Sequence, residues 1–162
     1  MRVTSPIFGH LIVVVLMIAG ISNGMSLTMQ SQGKPVASGL PGLLEKSGYS
    51  YSKVTEGIYE VPATGKNLKQ FPLRLTLADD LLIVIAKIAD RKDVAINQAI
   101  AVKLLELNDD YDSVKFALSE EMLYVRMDVH VRLVDAEELK YLVEQMARVV
   151  DETYVHLKPF IK

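Results

Sequence analysis

Large apolar residues alternate with smaller or polar ones over residues 71–78, a period-two pattern typical of a strand with one buried face. A turn signal at Asp79-Asp80 separates this strand from the nearly unbroken apolar run 81–89, which suits the middle of a sheet. Similar alternation predicts two more hairpins, over 49–61 and over 113–133. Residues 62–70, with Pro and Gly, are predicted to form a loop.

Helical periodicity marks three further segments. Residues 40–46 fit a short helix, residues 94–107 follow a candidate N-cap at Asp93, and residues 136–157 form a long amphipathic pattern after Asp135. The predicted order is α-β-β-β-β-α-β-β-α. Because hairpins give antiparallel strands and each helix has an apolar stripe, we expect an α+β fold in which the helices pack on one face of an antiparallel sheet.

The N-terminal region follows a different pattern, because no Lys, Arg, Asp or Glu occurs between Arg2 and Lys34. Arg2, the apolar core 11–21 and the small residues at 22–24 fit a secretory signal peptide over residues 1–24. The core is short for a stable membrane span, which needs about 20 apolar residues. We therefore expect export to the periplasm or secretion, with an uncleaved membrane anchor as the alternative.

Residues 25–39 are polar, contain Gly, Pro and Ser, and are predicted to be a flexible linker before a folded domain over residues 40–162.

The chain has no Cys, so packing alone stabilises the domain and a bacterial lipid-modified N-terminus is excluded. Without Arg2 the chain has 17 basic and 20 acidic residues, a net charge of about −3. This balance argues against a nucleic-acid binder.

Several motifs in this order resemble the YbjN-like family, whose fold is that of the type III secretion chaperones. The most specific is the block 131–139, in which a strand runs through Asp135-Ala136-Glu137-Glu138-Leu139 into a long helix. The other matching segments are Leu43-Leu44, Glu56-Gly57-Ile58-Tyr59, Leu82-Ile83-Val84-Ile85-Ala86 and Leu104-Leu105-Glu106-Leu107-Asn108. The resemblance extends over roughly residues 40–161.

This resemblance implies a fold more firmly than an activity. Secretion chaperones of this fold bind extended partner segments along the sheet and helix surface and usually form dimers, whereas YbjN-like proteins have no established enzymatic role. Those chaperones act in the cytosol, while the N-terminal pattern of this chain indicates export. What the resemblance implies for this chain is therefore a peptide- or protein-binding surface.

The candidate binding face is the polar side of the last predicted strand, where Tyr124, Arg126, Asp128, His130 and Arg132 point one way. Asp128 with His130 could form an acid–base pair or a weak metal site, so an enzyme is the alternative function. A solvated strand face, in which Arg126 and Arg132 balance the charge of Asp128, explains the same pattern and is favoured because few strong ligands accompany the pair.

The other candidate sites have weaker support in the sequence. Asp110, Asp112 and Glu121 have the spacing of an EF-hand, but Lys115 stands where a calcium loop requires Gly, so a solvated turn is predicted. Four tyrosines suggest either an aromatic binding strip across the sheet or, more commonly, half-buried packing groups. They are Tyr49, Tyr51, Tyr59 and Tyr124. No serine nucleophile elbow, P-loop, dinucleotide fingerprint or zinc-protease motif occurs, and no cofactor is expected.

The sequence therefore predicts an exported, non-enzymatic module that binds a protein or peptide through its sheet face or last helix, with a homodimer as one arrangement. It does not identify the partner. The alternatives are an enzyme with its site near Asp128 and His130, and a structural protein held in the cell envelope by an uncleaved N-terminal segment.

Overall fold

The structure of the protein is a computed structural model that describes residues 39–162. The signal peptide predicted over 1–24 and the linker residues 25–38 lie outside the described residues. The helices and strands are α1 (Gly39–Lys46), β1 (Ser52–Thr55), β2 (Ile58–Ala63), β3 (Phe71–Ala78), β4 (Leu81–Asp90), α2 (Gln98–Asp110), β5 (Lys115–Leu118), β6 (Met122–His130) and α3 (Ala136–Leu157). Within this described part, no helix combines the length and apolar character that a bilayer crossing requires.

The six strands form one sheet in the order β1-β2-β3-β4-β6-β5, and every neighbouring pair is antiparallel. Apolar residues from one side of the strands and from the three helices share a single core, in which Leu73, Val84, Val125 and Met146 are fully buried. The predicted α+β fold, an antiparallel sheet with helices packed on one face, is confirmed.

The first hairpin turns at Glu56-Gly57 as predicted, but its second strand runs further than expected. β2 continues through Pro62 and Ala63, which the sequence assigned to the loop. Pro62 lies opposite Pro72 of β3. Because proline cannot donate a ladder hydrogen bond, two facing prolines fit a non-hydrogen-bonded pair near the end of a ladder. The loop between β2 and β3 therefore covers only residues 64–70.

The second helix begins later than its apolar periodicity suggests. The helix predicted over 94–107 with Asp93 as its N-cap is wrong at its start, because Asn97 is the N-cap of α2 and accepts the first capping hydrogen bond. The preceding segment is extended instead, since Val94 pairs with Ile161 in an isolated antiparallel bridge. A contact between distant parts of the chain has overridden a local helical pattern.

The last strand ends earlier than its alternation predicts. The pattern extends over residues 122–133, but β6 ends at His130 and Val131–Leu133 form a 3-10 turn. β4 begins at Leu81, which pairs with His130, so β6 loses this neighbour beyond that pair. Leu133, expected on the buried side, has 62% of its surface exposed.

α3 follows the sequence closely. Asp135 is its N-cap, and the Asp135 Oδ1 accepts a hydrogen bond from the backbone N–H of Glu138 at 2.9 Å. The residues of the predicted apolar stripe are all buried: Leu139, Leu142, Val143, Met146, Val149, Val150 and Leu157. Thr153 is buried with them, and its hydroxyl donates to the carbonyl of Val149 at 2.7 Å, so this polar group is satisfied within the helix.

α3 also holds the loop between β2 and β3. The carboxylate of Asp151 accepts hydrogen bonds from the backbone N–H groups of Lys66, Asn67 and Leu68, at 3.0, 2.7 and 2.8 Å. In return, the side-chain amide of Asn67 donates to the backbone carbonyl of Asp151 at 3.0 Å. One side chain of the helix thus satisfies three consecutive amides of a loop far away in sequence.

Candidate binding face

The side of the sheet that faces away from the core carries the candidate binding residues. One row of register partners crosses all six strands: Ser52, Glu60, Arg74, Ile85, Arg126 and Lys115. On β3, β4 and β6 the members of this row alternate with buried residues. We call this side the outer face; it comprises the row together with Ile83, Lys87, Tyr124 and Asp128.

Three of the five predicted binding residues lie on the outer face. Tyr124, Arg126 and Asp128 alternate along β6 with buried apolar residues. His130 is exposed at the end of β6, and Arg132 is exposed in the 3-10 turn that follows. The strand that carries these residues therefore ends at His130. A role in binding stays a prediction for all five residues.

Two cations hold the carboxylate of Asp128. The Nε of Arg126 donates to Asp128 Oδ1 at 2.6 Å, and the Nζ of Lys115 lies 3.8 Å from Oδ2. The second cation beside Asp128 is Lys115 of β5 and not Arg132, which the sequence pattern suggested. Lys115 lies opposite Arg126 because Leu118 pairs with Leu123 across the turn, and the hairpin pattern in the sequence does not specify this register to the residue.

Two further ion pairs lie along the sheet. The Nε of Arg74 donates to Glu60 Oε1 at 2.8 Å, and the Nζ of Lys87 donates to Asp90 Oδ1 at 2.7 Å. The hydrogen bond from Lys87 holds the pKa of the Asp90 carboxyl below its usual range. Charged side chains on this side of the sheet are therefore paired with oppositely charged neighbours. Sequence reasoning missed Arg74, because its place one strand away from β6 depends on the strand order.

Aliphatic side chains lie between these ion pairs. Ile83 is only 8% exposed although it does not belong to the core cluster, and its register partners are Thr76 and Asp128. Ile85, two residues further along β4, is half-buried. The stems of long charged side chains can cover such apolar surface while their heads stay in water. The outer face thus combines apolar contact area with positioned charges.

The outer face ends at a groove along β6. β5 pairs with β6 only as far as Arg126, so the next residues, Met127–Val129, have no strand on that side among the described residues. The groove has a volume of about 370 Å³ and is lined by this open edge, by residues 112–113 and by the first turns of α3. Tyr141 of α3, 58% exposed, forms part of its wall. An open strand edge offers unpaired backbone N–H and C=O groups.

A second concavity, of about 510 Å³, lies near the start of β1. Pro62 and Pro72 form its apolar floor side by side, with Tyr51 and Gln70 among the other lining residues. Its charged lining residue, Glu60, is already paired with Arg74. The composition of this concavity suits apolar contact and gives it no arrangement of groups for catalysis.

The four tyrosines do not form one strip. Tyr49, Tyr51 and Tyr59 pack against the core, and the rings of Tyr51 and Tyr59 meet edge to face with their centroids 5.6 Å apart. Burial, followed by the nearby charge of Glu144, raises the pKa of the Tyr49 hydroxyl. The packing interpretation is confirmed for these three, while Tyr124 lies on the outer face.

Asp128 and His130 share no hydrogen bond among the described residues, where the ionic partners of Asp128 are Arg126 and Lys115. Over residues 39–162, no group of three or more His, Asp or Glu side chains is placed to hold a metal ion. The geometry around Asp128 is that of an ion pair on a strand face.

A solved structure shares this architecture. The crystal structure of YbjN from E. coli, a candidate transcription regulator, matches with a TM-score of 0.51 and 18% sequence identity, covering 72% of this chain and 90% of that one. The fold is YbjN-like. At such low identity the likeness establishes the fold alone, and it confirms the fold that the sequence motifs implied.

The structure of the ExsC–ExsE complex also aligns with the YbjN-like domain. It has a TM-score of 0.45 and 10% identity, and the alignment covers 67% of this chain and 74% of that chain. This likeness is too weak to carry a conclusion. No protein-family model matches the sequence, and no curated protein matches it.

Proposed function

We propose that this chain is an exported, non-enzymatic module that binds a protein or peptide through the outer face and the groove beside it. The observation that carries the proposal is the early end of β5, which leaves Met127–Val129 at an open strand edge next to Tyr124, Arg126 and Asp128. Backbone groups and positioned side chains thereby meet at one place.

An extended segment is the kind of ligand that such an edge accepts. A strand added beside β6 in continuation of β5 would satisfy the free backbone groups, and its alternate side chains would point into the groove or onto the outer face. Tyr141 supplies exposed apolar surface in the groove, above the buried side chains of Met127 and Leu142, while Glu138 and Gln145 supply polar groups. Main-chain pairing would provide affinity, and these side chains would provide specificity.

Peptide selection on the immobilised full chain tests this function. We expect a random peptide library to yield binders whose affinity falls about fivefold or more in Tyr124→Ala, because truncating an aromatic contact at an interface commonly costs over about 1 kcal/mol. The matched control is Leu105→Ala, which removes an apolar side chain that is 71% exposed on α2, away from the sheet. Recovery of no peptide, or loss of binding in Leu105→Ala alone, would contradict the proposal.

Export is a separate part of the proposal and is supported by the uncharged N-terminal sequence with its apolar core at 11–21. The mass of the protein isolated from the producing cells tests it. A mature chain that begins near Met25 and is found in the periplasm or medium would support cleavage and export. A full-length chain in the membrane fraction would support the envelope anchor instead, and a full-length cytosolic chain would contradict both.

A homodimer is one form that this binding could take, since an open strand edge also accepts a second copy. Sedimentation of the full chain with and without a selected peptide separates the two cases. A dimer that the peptide dissociates would place the second copy on the same edge.

A further inference from the structure

Charge is divided unevenly between the two layers of the fold. The helices α1, α2 and α3 contain nine acidic and four basic residues, a net charge of −5. The six strands contain three acidic and five basic residues, a net charge of +2. The full chain has a net charge of −2, so the sheet is a basic surface on an acidic protein.

The centre of the outer face concentrates this positive charge. Arg74 and Arg126 are register partners of Ile85 on either side, so the three residues lie in one line across β3, β4 and β6. At about 4.8 Å between neighbouring strands, the two arginine backbones are about 10 Å apart. Lys87 lies two residues along β4, on the same side as Ile85.

Both guanidinium groups keep donors available. Each uses its Nε to bind a carboxylate of the sheet, Arg74 to Glu60 and Arg126 to Asp128. Among the described residues, neither group makes a hydrogen bond through its Nη atoms. A guanidinium fixed through Nε presents its remaining N–H groups in a defined direction, and such a fork matches a carboxylate.

We propose that the outer face recognises an acidic protein segment whose carboxylates, spaced by about 10 Å, bind Arg74 and Arg126 while an apolar side chain between them packs on Ile85. This inference rests on the proposed function and identifies the chemical class of the partner. In a polyproline II-like extended segment, which has three residues per turn and rises about 3.1 Å per residue, acidic residues three positions apart lie on one side with about that spacing.

Charge density favours such a segment over a nucleic acid. A double helix carries a phosphate charge every 1.7 Å or so, and its binders need a dense basic surface. Here Glu60 and Asp128 interrupt the cations, and aliphatic side chains separate them. A partner segment in which carboxylates alternate sparsely with apolar groups complements this arrangement. The acidic helices on the other side of the protein would repel a polyanion.

The first experiment is the composition of peptides selected from a random library on the full chain. Enrichment of Asp and Glu near an apolar residue would support the inference. Binders that lack acidic enrichment and still need Tyr124 would overturn the inference and leave the proposed function standing. Failure to recover any binder would overturn both.

The second experiment uses a labelled peptide of four Glu-Leu-Ser repeats, with Lys-Leu-Ser and Gln-Leu-Ser repeats as matched probes. We expect the glutamate peptide to bind best, and to weaken several-fold when salt rises from about 50 to about 500 mM. Stronger binding of the lysine peptide, or of a single-stranded oligonucleotide, would overturn the inference.

Variants of the ion pairs decide whether Arg74 and Arg126 are responsible. Replacing both by Gln should reduce affinity for the glutamate peptide about tenfold, whereas Arg148→Gln on α3 should leave it unchanged. Glu60→Gln should raise affinity two- to fivefold or so, because it frees Arg74 from its intramolecular partner. A gain of binding cannot come from loss of folding, so unchanged affinity in Glu60→Gln together with unchanged affinity in the arginine variant overturns the assignment.

Discussion

The carboxylate of Asp151 occupies the space in which a side chain of Gly65 would stand. A Cβ built on Gly65 would lie 2.2 Å from Asp151 Oδ1 and 2.8 Å from Asp151 Cβ. The same carboxylate accepts the three amide hydrogen bonds of the following loop residues, and its position is thereby fixed. The packing of the loop against α3 therefore requires glycine at position 65.

Gly65→Ala should lower the free energy of unfolding by about 1–3 kcal/mol, since overpacking forces either the loop or Asp151 to move. Rotation of the Asp151 side chain cannot relieve the clash fully, because its own Cβ is among the atoms too close. Urea unfolding measures the change. Thr64→Ala, next to it and exposed, is the matched control and should change stability by under about 0.5 kcal/mol. Equal stability of the two variants would contradict the assigned packing.

Asp151→Asn should destabilise the protein by about 1–2 kcal/mol, because one amide oxygen cannot replace a carboxylate that accepts three backbone hydrogen bonds. Amide hydrogen exchange of Lys66, Asn67 and Leu68 should accelerate in the variant, while exchange in β4 changes only with global stability. Unchanged exchange at these three amides would show that the carboxylate does not hold the loop.

Ionisation of the Asp151 carboxylate should contribute to the pH dependence of stability. Hydrogen bonds from the backbone N–H of Leu68, and then of Asn67 and Lys66, lower the pKa of Asp151 below its ordinary value of 3.8. Folding thus favours the ionised form, so the stabilisation is present above about pH 4 and is lost as the pH falls through the folded-state pKa. The stability difference between the wild type and Asp151→Asn should shrink in acid. The pKa of Asp90 is also lowered, but Asp90 is present in both proteins, so the comparison isolates Asp151.

The N-cap of α3 offers a prediction with an internal control. Asp135→Ala should cost about 1 kcal/mol, because the backbone N–H of Glu138 loses its acceptor at the start of the helix that carries most of the helical core. Asp135→Asn keeps an acceptor and loses only the favourable charge at the helix N-terminus, so a few tenths of a kcal/mol are expected. Thermal unfolding measures both, and equal losses would contradict the capping role.

Most of the fold could be predicted from the local pattern of apolar and polar residues. The alternation of Phe71, Leu73 and Leu75 and the stripe of α3 both correspond to buried positions, because period and face are properties of the segment itself. The segment 94–97 was misassigned, because its conformation depends on the bridge from Val94 to Ile161, which no local pattern reveals. The end of β6 was misplaced for a similar reason, since it depends on where β4 begins.

The candidate site was predictable only along a single strand. Tyr124, Arg126 and Asp128 share a face by simple alternation, which the sequence displays directly. Arg74 joins them because β3 and β6 both neighbour β4, and strand order is set by contacts between distant segments. The groove beside Met127–Val129 arises from the unequal lengths of β5 and β6, which depend on strand ends, the least predictable part of any element.

Amide chemical-shift mapping of the labelled full chain with a selected peptide locates the binding surface on the protein. We expect shifts at Tyr124, Arg126 and Asp128, at Met127–Val129 on the open edge and at Ile85 on β4, with the exposed face of α2 unchanged. Shifts confined to α2 or to the exposed side of α3, with the amides of β6 unmoved, would contradict a binding function for this side of the sheet.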